Sequence, residues 1–367
     1  TVLGENALDA AVTGGNNTVM GSGSLGANTS GTNNTALGRG VLNASTTASN
    51  NTGVGYFALV SNTTGGDNTA VGANALDANT TGDFNNAFGK SSLGNNTTGE
   101  NNNAFGLGAG FNNTTGNANC FFGRDAGQSN SSGSNNVAVG HYALEENTTA
   151  SNITAVGYEA LRENTTGAYN LAVGAQALDA NTTASYNTAV GSGGALGTNT
   201  TGSMNTAVGY YTLQANTTGF DNTSVGSSAL GANTTGQQNT AVGRSCLRQN
   251  TTGIYNTAIG RSALHANQTG SNNVGVGHYS LFNNTGSHNV AVGQGCMQNN
   301  TSGNLNVAIG TSTLHNNTTG IQLTAVGHAA LMNNTTANDN TAVGYSSLVA
   351  NTTGNNNVAV GVEALTT

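Results

Sequence analysis

Proline and tryptophan are absent from the 367 residues, and only 22 side chains carry a full charge, 7 basic and 15 acidic. A formal charge of −8 spread this thinly excludes the basic field that a nucleic-acid partner requires. No apolar run approaches 18 residues and no signal peptide is present, so no membrane span is expected in this segment. The three cysteines, Cys120, Cys246 and Cys296, form no CxxC pair and no disulfide framework, and they read as small core residues. The lack of proline and charge also argues against disorder, because disordered chains are usually rich in both and do not space apolar residues regularly. The chain lacks an initiator Met and starts and stops inside a repeat, so a piece of a longer or processed chain is expected.

What is present is glycine, 55 residues of it, together with asparagine and threonine in phase. Glycines at 4, 21, 38 and onward to 361 recur every 17 residues, with one step of 18 (Gly191 to Gly209) and one of 16 (Gly277 to Gly293). Such a period signals a solenoid or array. The stretch from Asn205 to Gly219, NTAVGYYTLQANTTG, shows the unit N-T-A-V-G-x-x-A-L-x-x-N-T-T-G-x-x, whose positions are numbered here from its first Asn. The marking glycine is position 5; position 4 is always apolar; position 9 is Leu in 19 of 22 units, Met297 in one, and Gly110 and Gly127 in two.

These periodicities predict an all-β fold, a parallel β-solenoid (β-roll) of about 22 stacked 17-residue coils, with residues 1–367 forming one continuous array. A strand over positions 1–4, a tight turn at the glycine, a second strand over about 7–10 and a polar turn over 11–17 make one coil. At ~4.8 Å per coil, 22 coils give a rod on the order of 100 Å. Helices are excluded by glycine density. The alternation expected of a strand puts positions 2 and 4 on one face, and the expected core pairs position 4 with position 9: Val139 with Leu144, Val156 with Leu161, Val173 with Leu178. Phe105 and Phe122 occur at position 4 of the coils that have Gly110 and Gly127 at position 9, which suggests exchange of volume across the core; Phe88 keeps its Leu93.

The in-phase unit, with its V-A-V/I-G core, resembles the head repeats of trimeric autotransporter adhesins (YadA-like) and similar repeats of phage tail fibres, over the whole chain and with a longer N-T-T-G turn. The resemblance implies a left-handed parallel β-roll, three chains around one axis, and a surface fibre or adhesive rod without a reaction.

Position 1 is Asn in 19 of 21 units, with Ile153 and Leu323 as exceptions, and reads as a structural amide ladder. Position 12 opens Asn-x-Ser/Thr in 18 of 21 turns: Asn28, Asn62, Asn79, Asn96, Asn113, Asn130, Asn147, Asn164, Asn181, Asn199, Asn216, Asn233, Asn250, Asn267, Asn300, Asn317, Asn334 and Asn351; in the shortened coil a sequon appears at Asn283. These are either N-glycan acceptors, one per coil, or turn residues whose side chains bond nearby backbone.

Catalytic and cofactor motifs are missing: no P-loop, nucleophile elbow, metalloprotease or calcium nonapeptide pattern, and the six histidines show no metal-ligand spacing. Glu145, Arg162 and Asp179 share position 10 in consecutive coils and suggest a charge ladder; Glu146 and Glu163 beside them suggest at most a weak cation site. Arg244, Arg248, Arg261, His265 and His278 gather on three coils as a candidate anionic-sugar surface, and Tyr56, Tyr158, Tyr210, Tyr211, Tyr345, Tyr169, Tyr186 and Tyr255 are expected outside. The functional expectation is a non-enzymatic extracellular, cell-surface or virion fibre, self-associating as a homotrimer or end-to-end filament, with surface glycans as further partners. The alternatives are an ice-binding solenoid, disfavoured because adjacent Thr at positions 13 and 14 point opposite ways, and a polysaccharide-active β-helix enzyme, for which no acid cluster is found.

Overall fold

The structure, a computed structural model, describes residues 2–366. It is all-β, a parallel β-solenoid with one three-residue strand per repeat, and it divides into two compact units, Thr1–Tyr186 and Asn187–Thr367. The first unit holds β1 (Val2–Leu3) to β11 (Leu171–Val173) and the second β12 (Thr188–Val190) to β22 (Val358–Val360), so each has eleven coils and there are 22 in all. Within a unit successive strands are parallel and in register, as in Ala207↔Ser224 and Ser224↔Ala241. One repeat is therefore one coil.

The strand spans positions 2–4. Its two ends are tied to both neighbours: the Thr206 N–H donates to the Asn222 carbonyl (2.8 Å) in the next coil, and the Gly209 N–H donates to the Val190 carbonyl (2.8 Å) in the previous one. Position 5 must be glycine because φ is +138° at Gly209 and a Cβ there would lie 2.8 Å from the carbonyl carbon of Gly226, so the glycines themselves stack.

Among the described residues no second strand follows. Positions 6–11 are turns in which positions 7 and 9 are left-handed, with φ of 54° at Tyr211 and 49° at Leu213; a further left-handed residue stands at position 17, Asp221 (54°). Alternating handedness keeps N–H and C=O groups directed along the stack: the Leu213 N–H donates to Ala229 O (3.1 Å) in the next coil, and the Ser228 N–H to Tyr210 O (2.9 Å) in the previous one. The hydrogen-bond ladder expected of a strand is thus kept by residues that are not in one.

The strand also faces the other way from the expectation. Positions 1 and 3 point inward and positions 2 and 4 outward: the position-3 alanines, among them Ala138, Ala155, Ala172 and Ala207, are fully buried, whereas Val139 is 38% exposed, Val156 and Val173 are half-buried, Phe88 and Phe122 are 36% and 40% exposed, and Phe105 is half-buried. Leu144, Leu161 and Leu178 are in the core, as expected, but they lie across from alanine rather than from valine. The leucine of position 9 fills most of the lumen, so the inward residue of the strand is usually alanine; Val19, fully buried in the coil that holds Leu25, shows that a second branched side chain is accommodated in one coil.

Volume exchange does occur, between positions 3 and 9. Phe121, at position 3 of β8 (Cys120–Phe122), is fully buried; a Cβ at Gly110 would lie 2.6 Å from its ring, and one at Gly127 would also collide with it. One inward phenyl ring replaces two leucines, while Phe105 and Phe122 stand outside. In the same way the larger Val41 at position 8 fills the space left by Gly53 at position 3. The inserted residue falls at Gly193-Gly194, both with positive φ, and the shortened coil omits position 14, since Asn284, Thr285 and Gly286 hold the places of positions 12, 13 and 15.

Candidate functional site

Two buried amide tapes run through the coils. At position 1 the Asn222 N–H donates to Asn205 Oδ1 (3.0 Å) and Asn222 Nδ2 donates to the Gly236 carbonyl (2.9 Å). At position 12 Asn216 Nδ2 donates both to Asn199 Oδ1 (2.8 Å) and to the Gly219 carbonyl (2.9 Å). Each asparagine closes its own turn and joins the coil below, which satisfies amides that would otherwise be costly to bury.

This geometry corrects the glycan reading. Asn28, Asn62, Asn79, Asn96, Asn113, Asn130, Asn147, Asn164, Asn181, Asn199, Asn216, Asn233, Asn250, Asn267, Asn300, Asn317 and Asn334 are sealed from solvent, and Nδ2, the atom that carries an N-glycan, points into the coil. Asn351 is half-buried and donates to Asn334 Oδ1 (3.2 Å) and Gly354 O (3.0 Å). Asn283 stands outside the tape, half-buried, with Nδ2 3.4 Å from Asn299 Oδ1; Asn284 takes the ladder place. A carbohydrate sheath of one chain per coil does not fit this fold.

The outward residues of the strands form the most continuous surface feature. Position 2, mostly Thr or Val, and position 4, Val, Ile, Leu, Met or Phe, make two parallel ranks on one face of the sheet in each unit. Many position-4 side chains are more than a third exposed, among them Val225, Val242, Ile259 and Ile309. Phe88, Phe105 and Phe122 stack along this face with centroids 4.7 Å apart. At position 13 the Thr217 hydroxyl donates to the Thr234 carbonyl (3.1 Å), so that rank is committed to the backbone; the position-14 threonines, such as Thr218, are exposed.

Charged groups cluster at the turn edge of the first unit. Arg162 binds Glu163 (2.6 Å), Glu159 (3.3 Å) and Asp179 (3.8 Å), so the ladder at position 10 is only partly formed: Arg162 reaches Asp179 but forms no ion pair with Glu145. Hydrogen bonding from Gln176 and Tyr158, with the Arg162 charge, holds Glu159 below the usual carboxylate range. Burial and the neighbouring Glu146 push Glu145 up. Glu163 is taken up by Arg162, and among the described residues no three His, Cys, Asp or Glu side chains come together as a metal site. Four of the histidines lie against rings instead, His141 stacked on Tyr142 (3.8 Å) and His278 tilted against Tyr279 (4.0 Å) among them. Cys246 and Cys296 are buried at position 8, and burial raises their thiols to about 11 and about 12.

The tyrosines singled out by position are all exposed, and Tyr169 and Tyr186 stack at 5.1 Å. Among the described residues no helix is long and apolar enough to cross a membrane. No protein-family model matches the chain, and no curated protein matches it. The likeness to adhesin heads and tail fibres thus rests on the repeat and the solenoid.

Proposed function

We propose that the chain is a non-enzymatic structural subunit of an extracellular, cell-surface or virion fibre, in which copies associate side by side through the two outward ranks of their strands. The observation that carries this reading is the outward orientation of position 4. An aliphatic or aromatic side chain stands on the solvent face in every coil, where a monomer gains nothing from it and a second copy buries it. Three copies around an axis, as the adhesin resemblance implies, cover all such faces by closed symmetry. Glycans on the target surface are the further partners this reading assigns.

Sedimentation equilibrium of the whole chain tests the proposal. A mass of two or more protomers is expected, and replacing Val225 and Val242 with lysine should release protomers while the circular dichroism spectrum stays unchanged. A protein that remains monomeric throughout the micromolar range, or association indifferent to the two lysines, overturns it.

A second reading has one specific observation in its favour. The threonines of position 2 and the valines of position 4 give regular outward Thr-x-Val ranks at strand spacing, an arrangement the N-T-T turn does not provide. Such a face suits ordered water at an ice surface. Thermal hysteresis of the dispersed protein measures this, and its absence removes the reading.

A further inference from the structure

Position 10 lies on the turn edge, half-buried in most coils, and its side chains make a column along the coils. Gly26, Gly94, Gly197 and Gly231 interrupt it. Two of the gaps are occupied or closed: a Cβ at Gly94 would meet the ring of Phe111 at 2.8 Å, and the Gly194 backbone of the bulged coil lies against Gly197. The gap at Gly26 is an open notch of about 450 Å³, with the Asn43 amide beside it donating to the Gly23 carbonyl (2.7 Å). At Gly231 the three nearest atoms are backbone atoms of Ser228 and Tyr211, at 3.3–3.8 Å, and the gap is an open notch of about 430 Å³.

The lining of that notch differs in kind from that of its counterpart at Gly26, which is walled by asparagines and Asp9. Gln214 and Arg248 flank Gly231 in the column, two coils and so roughly 10 Å apart. Tyr211, one of a close pair with Tyr210 (centroids 3.9 Å apart), stands to one side and Gln249 to the other. Among the described residues the four ion pairs engage only Arg124 and Arg162, so the Arg248 guanidinium has no carboxylate partner in this chain. The next residue of the column, His265, is held below its ordinary range by burial and by Arg248, which leaves the guanidinium as the cation beside the notch at neutral pH.

A tyrosine 37% exposed, two primary amides and one guanidinium without a carboxylate partner around a cleft of this size match a pyranose ring bearing a carboxylate. The ring's C–H face stacks on the aromatic, the amides take hydroxyls, and a guanidinium binds a carboxylate through paired hydrogen bonds. We propose that the notch over Gly231 is a subsite for a hexuronic acid residue of an acidic polysaccharide. This goes beyond the fibre reading and does not depend on self-association, because the notch lies on the turn edge and not on the strand face.

The test titrates the full chain with trigalacturonate and with its fully methyl-esterified form, following the tyrosine ring resonances by NMR and the heat by calorimetry. Binding of the acid trimer with shifts at Tyr211 is expected, at least tenfold weaker for the ester and for Arg248→Ala. Gly231→Gln should abolish binding by filling the notch. The fold should tolerate that variant, since a Cβ there needs the Ser228 carbonyl, 3.3 Å away, to give by only a few tenths of an ångström, and Gln128, Gln214 and Gln298 occupy position 10 in other coils. No binding of the acid trimer, equal binding of acid and ester, or binding that survives Gly231→Gln overturns the proposal.

Discussion

Ser45 is the residue at which the position-12 tape breaks. It stands where Asn28 and Asn62 stand one coil to either side, and its buried hydroxyl has no hydrogen-bond partner. For an asparagine at this place Asn147 is the precedent: it donates to the Ala150 carbonyl (3.1 Å), three residues on, and Ala48 offers the equivalent carbonyl three residues after Ser45. Ser45→Asn should restore the tape on both sides. At about 1 kcal/mol net per buried hydrogen bond, a gain of roughly 1–2 kcal/mol in the denaturation free energy is expected. An unchanged or lower denaturation midpoint would show that the tape satisfies amides without adding stability. The same scale explains the two buried non-amides of position 1: Ile153 and Leu323 still donate their N–H to the asparagine below, at 3.0 and 2.9 Å, so only the side-chain half of the tape is lost.

At the scale of the element, the left-handed leucine is what makes the coil. Position 9 is Leu with φ of 47–55° in coil after coil, and never Val or Ile. A left-handed residue costs about 1–2 kcal/mol, more when branched at Cβ, so the turn selects a γ-branched apolar side chain while the strand accepts β-branched ones. Leu213→Ile should therefore destabilise by about 2 kcal/mol or more despite equal volume, whereas Val208→Ile on the outward face should stay within about 0.5 kcal/mol, as Ile259 and Ile309 at that position already suggest. Urea denaturation of both variants decides this, and equal losses would mean that the turn does not discriminate. The choice of leucine was visible in the sequence, but it read as core packing in a second strand, because handedness leaves no mark on hydropathy.

For the molecule as a whole, stability comes from repetition of short-range contacts between neighbouring coils, each coil being too small to bury a core alone. Charge contributes little: in each of the four ion pairs among the described residues, all in the first unit, the arginine is a third or more exposed, even where the carboxylate, Asp125 or Glu159, is buried. Thermal unfolding should accordingly move by less than about 3 °C between about 20 mM and about 0.5 M sodium chloride, as exposed pairs are weak and screened. A larger fall at high salt would assign the ion pairs a structural weight that their exposure does not suggest. Recognition of an acidic glycan at Arg248, by contrast, should weaken over the same range.

The seventeen-residue period, the number of coils, the parallel all-β class and the tolerance of insertion at Gly193-Gly194 followed from the sequence, because spacing along a chain survives without knowledge of direction. Which side of each strand is inside did not follow. The signal was there in position 3, which is Ala, Gly or Ser in every coil except those of Val2, Val19 and Phe121, beside the varied sizes at positions 2 and 4, since a close-packed lumen tolerates less variation than a surface. Hydropathy pointed the other way and put valine inside. Only the folded coil, with leucine turned inward by a left-handed backbone and asparagine amides bonded along its axis, decided that the apolar ranks face out and that the sequons are sealed within.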